Sequence, residues 1–178
     1  MCGILGFAGP AAQPDATLQA MLARLQHRGP DGTALQQWPE GSAALGFQRL
    51  AMVDLSPQAM QPFVAADGQV GLVCNGELYN APSLRHRLQA LGHTFRSHCD
   101  TEVLLQGYLA WGEAVLQEIE GMFAFVLWDA RHKLLWAARD APGMKPLYYW
   151  QHGQELYLAS EPGAFFAHPA FSCQPQAW

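Results

Sequence analysis

Long apolar runs and clusters of positive charge are both missing from this sequence. No uninterrupted apolar stretch reaches the length of about eighteen residues that would indicate a membrane span. Charged residues make up only 14% of the chain, and the ten basic ones are scattered, which does not favour a nucleic-acid partner. The apolar N-terminal segment has no basic residue before Arg24, so the charged leader of a signal peptide is missing. We therefore expect a cytoplasmic protein that contacts neither a membrane nor nucleic acid.

Recognisable spacings for disulfides, metals and phosphates are missing as well. The four cysteines, at positions 2, 74, 99 and 173, include no C-x-x-C pair, and we interpret them as free thiols. Ligand-type side chains come close together between His93 and Asp100, but their spacing is not that of a metal site. No Gly-rich phosphate-binding loop of either common type occurs. The sequence therefore predicts no metal site and no cofactor.

The 178 residues are enough for one domain with a hydrophobic core of its own. Apolar side chains recur with helical spacing and predict one helix at Leu18, Met21, Leu22 and Leu25. A second helix is expected from about Pro82 to Gly92. A third helix is expected after Asp100, with Gly112 as its end. The run 27–32 contains glycine and proline, and it is expected to begin a long irregular stretch.

Short apolar runs predict the strands. Three of them lie in the first part of the chain, at 2–8, 43–49 and 70–74. Four more follow in the last third, separated by short polar turns that indicate an antiparallel meander: 122–128, 134–138, 147–150 and 156–159. The first of these four is apolar at nearly every position, so both of its faces should be buried between other layers. Two sheets with helices outside them would satisfy this pattern.

Cys2 becomes the N-terminal residue once Met1 is removed, and it then carries a nucleophile and a base together. A cysteine thiol, with a pKa of about 8.5, is mostly protonated at neutral pH and needs a nearby base. An α-amino group, with a pKa of about 7.7–8.0, can be that base. On position alone, however, a cysteine here is more often an ordinary buried thiol. The interpretation therefore depends on motifs elsewhere in the chain.

A series of short motifs runs through nearly the whole sequence. In chain order they are Cys2-Gly3-Ile4, His27-Arg28-Gly29-Pro30-Asp31, Arg49-Leu50-Ala51-Met52-Val53-Asp54-Leu55-Ser56, Asn75-Gly76-Glu77-Leu78-Tyr79-Asn80, Asp100-Thr101-Glu102-Val103, Gly121-Met122-Phe123-Ala124-Phe125, Lys145-Pro146-Leu147-Tyr148-Tyr149 and Ala159-Ser160-Glu161. Together and in this order they resemble the class II glutamine amidotransferases, in particular the glutaminase domain of asparagine synthetase. The resemblance implies an α+β fold, the four-layer αββα sandwich of the N-terminal-nucleophile hydrolases. It further implies one glutaminase domain over 1–178, with about 165–178 as a candidate C-terminal extension or linker remnant.

The function implied by this resemblance is the hydrolysis of glutamine to glutamate and ammonia through a γ-glutamyl thioester on Cys2. The ammonia would supply an ATP-dependent, asparagine-synthetase-like partner or missing domain. By the same resemblance, Asn75 and Gly76 form the oxyanion hole, and an amide side chain and a backbone N–H can indeed point at one developing negative oxygen. The simpler alternative, an Asn-Gly hairpin turn, stays open at this stage.

A pocket selective for glutamine needs a cation for the substrate carboxylate and a carboxylate for its ammonium group. The resemblance assigns the first task to Arg49 and the second to Glu77 and Asp100. Asp100 would serve equally well as the N-cap of the helix that follows it. The resemblance also implies that the loop 27–32 closes over bound glutamine, with no catalytic task for His27.

Departures from the family pattern concern the predicted partner. The sequence has Ala141-Pro142 where an Arg and an aromatic are usual, and Pro162-Gly163 where a Lys is common. These differences put the contact with a synthetase domain in doubt more than the hydrolysis. Apolar surface near Ala141-Pro142-Gly143 or Phe165-Phe166 is a candidate docking patch, although Phe165 and Phe166 could equally cover the core. Two other functions stay open, a non-catalytic glutamine-binding regulatory module and another N-terminal-cysteine amide hydrolase such as a bile-salt or penicillin acylase.

Overall fold

The computed structural model describes residues 1–10, 15–38, 42–52 and 54–173. Within these ranges the chain forms nine strands and three α-helices. The strands are β1 (Gly3–Ala8), β2 (Gly32–Gln37), β3 (Ala43–Arg49), β4 (Phe63–Val64), β5 (Val70–Leu78), β6 (Gly121–Asp129), β7 (Leu134–Arg139), β8 (Tyr148–His152) and β9 (Glu155–Ala159). The helices are α1 (Asp15–Ala23), α2 (Ala81–Ala90) and α3 (Asp100–Trp111). Among the described residues, none of these helices has the length and apolar character to span a membrane.

Two antiparallel sheets pack face to face, and helices cover their outer faces. The first sheet has the order β2-β3-β1-β9-β8, and the second has the order β4-β5-β6-β7. Side chains alternate along β1, so that Leu5 and Phe7 pack under α1 while Ile4 packs between the sheets. On the other side, α2 and α3 cover the second sheet. The predicted αββα layers are therefore present.

The predicted meander is wrong in one respect, because its four strands belong to two different sheets. β6 pairs with β7 in the second sheet, whereas β8 pairs with β9 in the first. The chain changes sheets in the turn after β7, where the buried Asp140 carboxylate accepts N–H bonds from Phe123, Met144 and Lys145. The burial prediction for β6 is confirmed, since its last seven residues are buried.

Two strands differ from their predicted extent. β5 continues through Leu78, and its Asn75 and Gly76 lie opposite Ala124 and Phe123 of β6. The Asn-Gly hairpin alternative is therefore wrong. β2 occupies part of the stretch that was expected to be irregular, and it forms the edge of the first sheet beside β3. It escaped prediction because its last two residues are polar glutamines and its first is a glycine.

The predicted helix ends at glycines are confirmed. Gly92 follows α2 with φ of +91°, and Gly112 follows α3 with φ of +61°. Backbone in this region is strained for residues with a Cβ, which is why glycine ends helices so often.

The segment after β9 packs on the outer face of the first sheet. Phe165 is only 2% exposed, and the ring of Phe171 lies 5.1 Å from that of Trp150. The Nδ1 atom of His168 accepts the Ala170 N–H, so its Nε2 carries the proton and faces the Tyr157 hydroxyl. Burial lowers the pKa of His168, in keeping with this neutral form. Of the candidate extension 165–178, the part up to Phe171 thus contacts the domain, and 174–178 lie outside the described residues.

Candidate active site

One cavity of about 210 Å³ brings the predicted site residues together. It lies where the start of β1 and the end of β3 meet the end of β5 and the start of α3. All six residues predicted from the sequence line it: Cys2, Arg49, Asn75, Gly76, Glu77 and Asp100. Among the described residues, no group of three His, Cys, Asp or Glu side chains could hold a metal ion.

Cys2 is held at its backbone by a charge pair that the sequence did not reveal. Its carbonyl oxygen accepts a hydrogen bond from Nε of the buried Arg28 at 3.1 Å. Arg28 in turn donates from Nη1 to Glu161 at 2.6 Å. Although burial alone would raise it, the pKa of Glu161 is lowered by hydrogen bonds from Arg28 and His27. Both residues stand in the quoted motifs, but their pairing across 133 positions has no local signal.

The Cys2 sulfur itself has only weak protein contacts. Its Sγ accepts the Leu50 N–H at 3.4 Å and lies 3.6 Å from the Leu50 carbonyl oxygen. The thiol is partly exposed to the cavity, with Met1 beside it in the wall. A nucleophile in such a place can meet a small ligand.

Gly76 presents its backbone N–H on the cavity side of β5. Residues of an antiparallel strand alternate between bonding to one neighbour and facing away from it. The Tyr79 N–H donates to Glu120 beside β6, so Gly76, three residues earlier, faces away from β6. On that opposite edge β4 pairs only as far as Leu72. A Cβ at position 76 would lie 2.4 Å from the Met122 carbonyl oxygen, so the close approach of β6 requires glycine here.

Asn75 supplies a second donor beside the first. Its side chain is only 3% exposed, and its Nδ2 has no hydrogen-bond partner. Leaving a buried donor unsatisfied costs about 1–3 kcal/mol, which a ligand acceptor in the cavity would recover. The two donors of Asn75 and Gly76 therefore border the same space as the thiol and suit an oxygen that gains negative charge.

The charged residues of the cavity carry opposite signs. Arg49 donates from Nη2 to the carbonyl oxygens of Asp54 and Ser56, at 2.6 and 2.9 Å. Glu77 is exposed at the end of β5, and Asp100 accepts the Leu78 N–H at 2.8 Å. Asp54 and Lys145 also line the cavity, so its wall offers both cations and carboxylates, as a zwitterionic ligand requires.

The N-cap alternative for Asp100 is wrong. The helix begins at Asp100 itself, Cys99 holds the N-cap position, and no side chain caps the helix there. The Asp100 carboxylate bonds across to β5 instead, which ties the start of α3 to the strand that bears Asn75 and Gly76.

The loop 27–32, which is expected to close over bound glutamine, contacts β3 and the segment after it, and none of its residues lines the cavity. The Asp31 N–H donates to the Arg49 carbonyl oxygen, and the Asp31 carboxylate accepts the Ala51 N–H. A Cβ on Gly29 would lie 2.4 Å from the Gln48 carbonyl oxygen, so the loop packs directly on β3. The segment that follows Arg49 lines the cavity instead, and its Met52 is 73% exposed.

Two further cysteines, Cys74 and Cys99, line the cavity, but their surroundings suppress their reactivity. Burial and the neighbouring Asp100 charge raise the pKa of Cys99 to about 11. The same two causes, burial first, raise the pKa of Cys74 well above its usual range. Neither thiol is a thiolate at neutral pH, so neither competes with Cys2 as a nucleophile.

This difference predicts a labelling pattern. At pH 8 we expect iodoacetamide to label Cys99 roughly a hundredfold or more slower than an ordinary exposed thiol, because a raised pKa leaves little thiolate below pH 11. Raising the pH should speed labelling of Cys99 more than that of the exposed Cys173. Peptide mapping by mass spectrometry measures each site, with urea-unfolded protein as the control. Equal labelling of Cys99 and Cys173 in the folded protein would contradict the assignment.

Comparison with known proteins identifies the family. A family model described as a glutamine amidotransferase domain matches residues 1–177. The glutamine-hydrolysing asparagine synthetase 3 of Bacillus subtilis is 39% identical over 173 residues, which are 95% of this chain and 28% of that protein. Amidase chry2 of Gibberella zeae is 35% identical over an alignment of 188 positions, which covers 99% of this chain and 27% of that protein. The chain thus spans little more than a quarter of the length of these relatives.

A solved structure shows the same fold. The glutamine phosphoribosylpyrophosphate amidotransferase of Bacillus subtilis, complexed with ADP and GMP, superposes with a TM-score of 0.79 at 26% identity. The match covers 93% of this chain and 43% of that one. It confirms the predicted sandwich of the N-terminal-nucleophile type. This chain belongs to the glutamine amidotransferase domain family and, within it, is a class II domain of the asparagine-synthetase-like glutaminase type.

Proposed function

We propose that this domain hydrolyses glutamine to glutamate and ammonia, with Cys2 as the nucleophile. The observation that carries the proposal is the pair of donors beside the Cys2 thiol, the unpartnered Nδ2 of Asn75 and the edge-facing N–H of Gly76. A thiol next to two such donors suits acyl transfer, in which a carbonyl oxygen gains negative charge.

The first half of the reaction forms a γ-glutamyl thioester. With Met1 removed, the α-amino group of Cys2 accepts the thiol proton, and Sγ attacks the side-chain carbonyl carbon of glutamine. Asn75 and Gly76 donate to the oxygen of the tetrahedral intermediate. The C–N bond then breaks, and the proton taken by the amine leaves with the departing ammonia.

The second half releases glutamate. Water gives a proton to the same amine and attacks the thioester carbon, again with its oxygen held by Asn75 and Gly76. The C–S bond breaks, and the sulfur regains its proton. The hydrogen bond from Arg28 to the Cys2 carbonyl fixes the backbone of the nucleophile through both steps.

The charged residues would orient the substrate. Arg49 would bind the α-carboxylate, and Glu77 with Asp100 would bind the α-ammonium group, which leaves the side-chain amide at the thiol. Since Nη2 of Arg49 already holds two carbonyl oxygens of the segment after β3, substrate binding and the position of that segment are coupled.

The Arg49→Lys variant tests this orientation. We expect a large rise in KM for glutamine with a smaller change in kcat, because one ammonium group cannot bind a carboxylate and also hold the Asp54 and Ser56 carbonyls. Steady-state kinetics measure both constants. Arg24→Lys is the matched control, because Arg24 is exposed directly after α1 and does not line the cavity. If Arg49→Lys and Glu77→Gln both keep the parental KM, the pocket assignment is wrong.

We further propose that the ammonia serves an ATP-dependent synthetase domain. Support comes from the glutamine-hydrolysing asparagine synthetases 3 and 1 of Bacillus subtilis, which this chain matches over 28% and 26% of their length. Of the candidate docking residues, Phe165 is buried in the core, whereas Phe166 is 56% exposed. The turn around Ala141-Pro142-Gly143 fits better, because exposed Met144 follows it and Lys145 lines the cavity.

The experiment is glutamine turnover by the purified chain, alone and with a candidate synthetase domain and its acceptor. We expect glutamate and ammonia in equal amounts, and faster release when the partner is present. Binding of glutamine without turnover would identify a regulatory module instead. Full activity that no partner changes would indicate a free-standing glutaminase.

A further inference from the structure

Every second residue of β5 turns its backbone N–H and carbonyl away from β6, toward the edge that borders the cavity. The group that bonds to the backbone at this edge differs from one such residue to the next. β4 pairs with the strand at Leu72, where Phe63 lies opposite. Continuing that antiparallel register by two residues places Gln61 opposite Cys74. Here the Gln61 side chain, and not its backbone, makes both ladder bonds: Nε2 donates to the Cys74 carbonyl at 3.1 Å, and Oε1 accepts the Cys74 N–H at 2.6 Å.

The next two residues on this edge of β5 are Gly76 and Leu78. Leu78 donates its N–H to the Asp100 carboxylate at 2.8 Å. Gly76 therefore lies between two side-chain substitutes for a neighbouring strand, Gln61 before it and Asp100 after it. At Gly76 the edge borders the cavity that Cys2 also lines.

Gln61 is fully engaged with protein groups. Gln61 is only 5% exposed, and its Nε2 also donates to the Thr101 hydroxyl at 3.2 Å. The carboxamide thus joins β5 to the first turn of α3. Although Gln61 borders the cavity, both of its polar atoms are bound to the protein, so it acts on the reaction through β5.

We propose that Gln61 is a positioning residue for the oxyanion hole. Its carboxamide replaces the missing strand at Cys74 and fixes the peptide plane there, so that the Gly76 N–H and the Asn75 amide keep their direction into the cavity. The inference rests on the proposed function, because it assigns a support to the donors which that function uses.

The two kinetic constants should respond differently to the loss of this support. A misplaced donor weakens binding of the transition state more than that of the ground state, and a displacement of about 1 Å can cost up to about a hundredfold in rate. Arg49 lies at the end of β3 in the other sheet. The Gln61 carboxamide bonds to Cys74 and Thr101 and not to Arg49. The KM for glutamine should therefore change less than kcat, and any change in KM should arise through Thr101, which follows Asp100 at the start of α3.

The test compares Gln61→Met with a matched control, Gln48→Met. Gln48 is a similarly buried carboxamide on β3 that donates to the Leu22 carbonyl of α1 and accepts from the Thr33 hydroxyl of β2, so its replacement should lower stability and keep kcat. We expect Gln61→Met to lower kcat tenfold to a hundredfold. If Gln61→Met folds and keeps the parental kcat, this inference is overturned but the proposed function is not. If the parent chain itself releases no ammonia from glutamine, both are overturned.

A second variant keeps the test decisive if Gln61→Met does not fold. In Gln61→Glu, a protonated carboxyl can accept the Cys74 N–H and donate to its carbonyl, as the amide does, but an ionised one can no longer donate. The ratio of variant to parental kcat should therefore rise as the pH falls. A ratio that does not change with pH would overturn the inference.

Discussion

We expect that replacing Cys2 with alanine will abolish glutamine hydrolysis and leave the fold intact. Alanine keeps the α-amino group but has no sulfur to form the proposed thioester, and loss of a nucleophile typically costs on the order of 10⁶ in kcat. Little stability should be lost, because the polar contacts of the sulfur are two weak ones with the Leu50 backbone, at 3.4 and 3.6 Å.

The measurements are release of glutamate and ammonia, thermal unfolding, and the intact mass of the parent. The parent should lack Met1 and should gain a glutamyl adduct when it is quenched with acid during turnover. The variants Cys74→Ala, Cys99→Ala and Cys173→Ala are the controls and should keep activity. Turnover by Cys2→Ala, or full activity of protein that retains Met1, would exclude the mechanism.

We expect that replacing Asn75 with alanine will lower kcat by about 10²–10³, which corresponds to roughly 2.7–4 kcal/mol of transition-state stabilisation. The KM for glutamine should change little, since the proposed donor acts on charge that appears only in the intermediate. Stability should not fall in proportion, because Nδ2 has no partner in the folded protein and its removal leaves no bond broken.

Asn80→Ala is the matched control at the other end of the same motif. The Asn80 side chain donates to the Glu118 carbonyl at 2.8 Å and accepts the Glu120 N–H at 3.0 Å. Its loss should therefore lower stability while kcat stays near the parental value. The opposite outcome, in which Asn75→Ala loses stability and keeps kcat, would make Asn75 a structural residue.

Local pattern was enough to predict most elements of the fold. The strand at Ala43–Arg49 matches the prediction residue for residue, and the glycines after α2 and α3 end their helices as expected. Pairing was harder, because the residues of β7 and β8 are only partly buried or exposed, and their pattern does not say which sheet each strand joins. The turn that separates them depends on the three N–H groups collected by Asp140, which no local pattern encodes.

The same division applies to the site. The six residues that share the cavity were identified through motifs, but their supports depend on contacts distant in sequence. Gln61 bonds to Cys74 across 13 positions, and Arg28 bonds to Glu161 across 133. An unpartnered amide, such as that of Asn75, is likewise a property of the packed structure and cannot be read from residue order.

The central place of β1 has a consequence for the order of events during synthesis. This strand pairs on one side with β3 and on the other with β9, whose residues Glu155–Ala159 are among the last of the described chain. The edge of β1 that faces β9 therefore stays unpaired until residues 155–159 have been translated, even after β3 has paired with its other edge. During that interval an aminopeptidase can reach Met1, which is still 54% exposed in the wall of the cavity after folding. The topology that completes the pairing of β1 last thus leaves time, before the sheet closes, for the cleavage that would expose its catalytic amine.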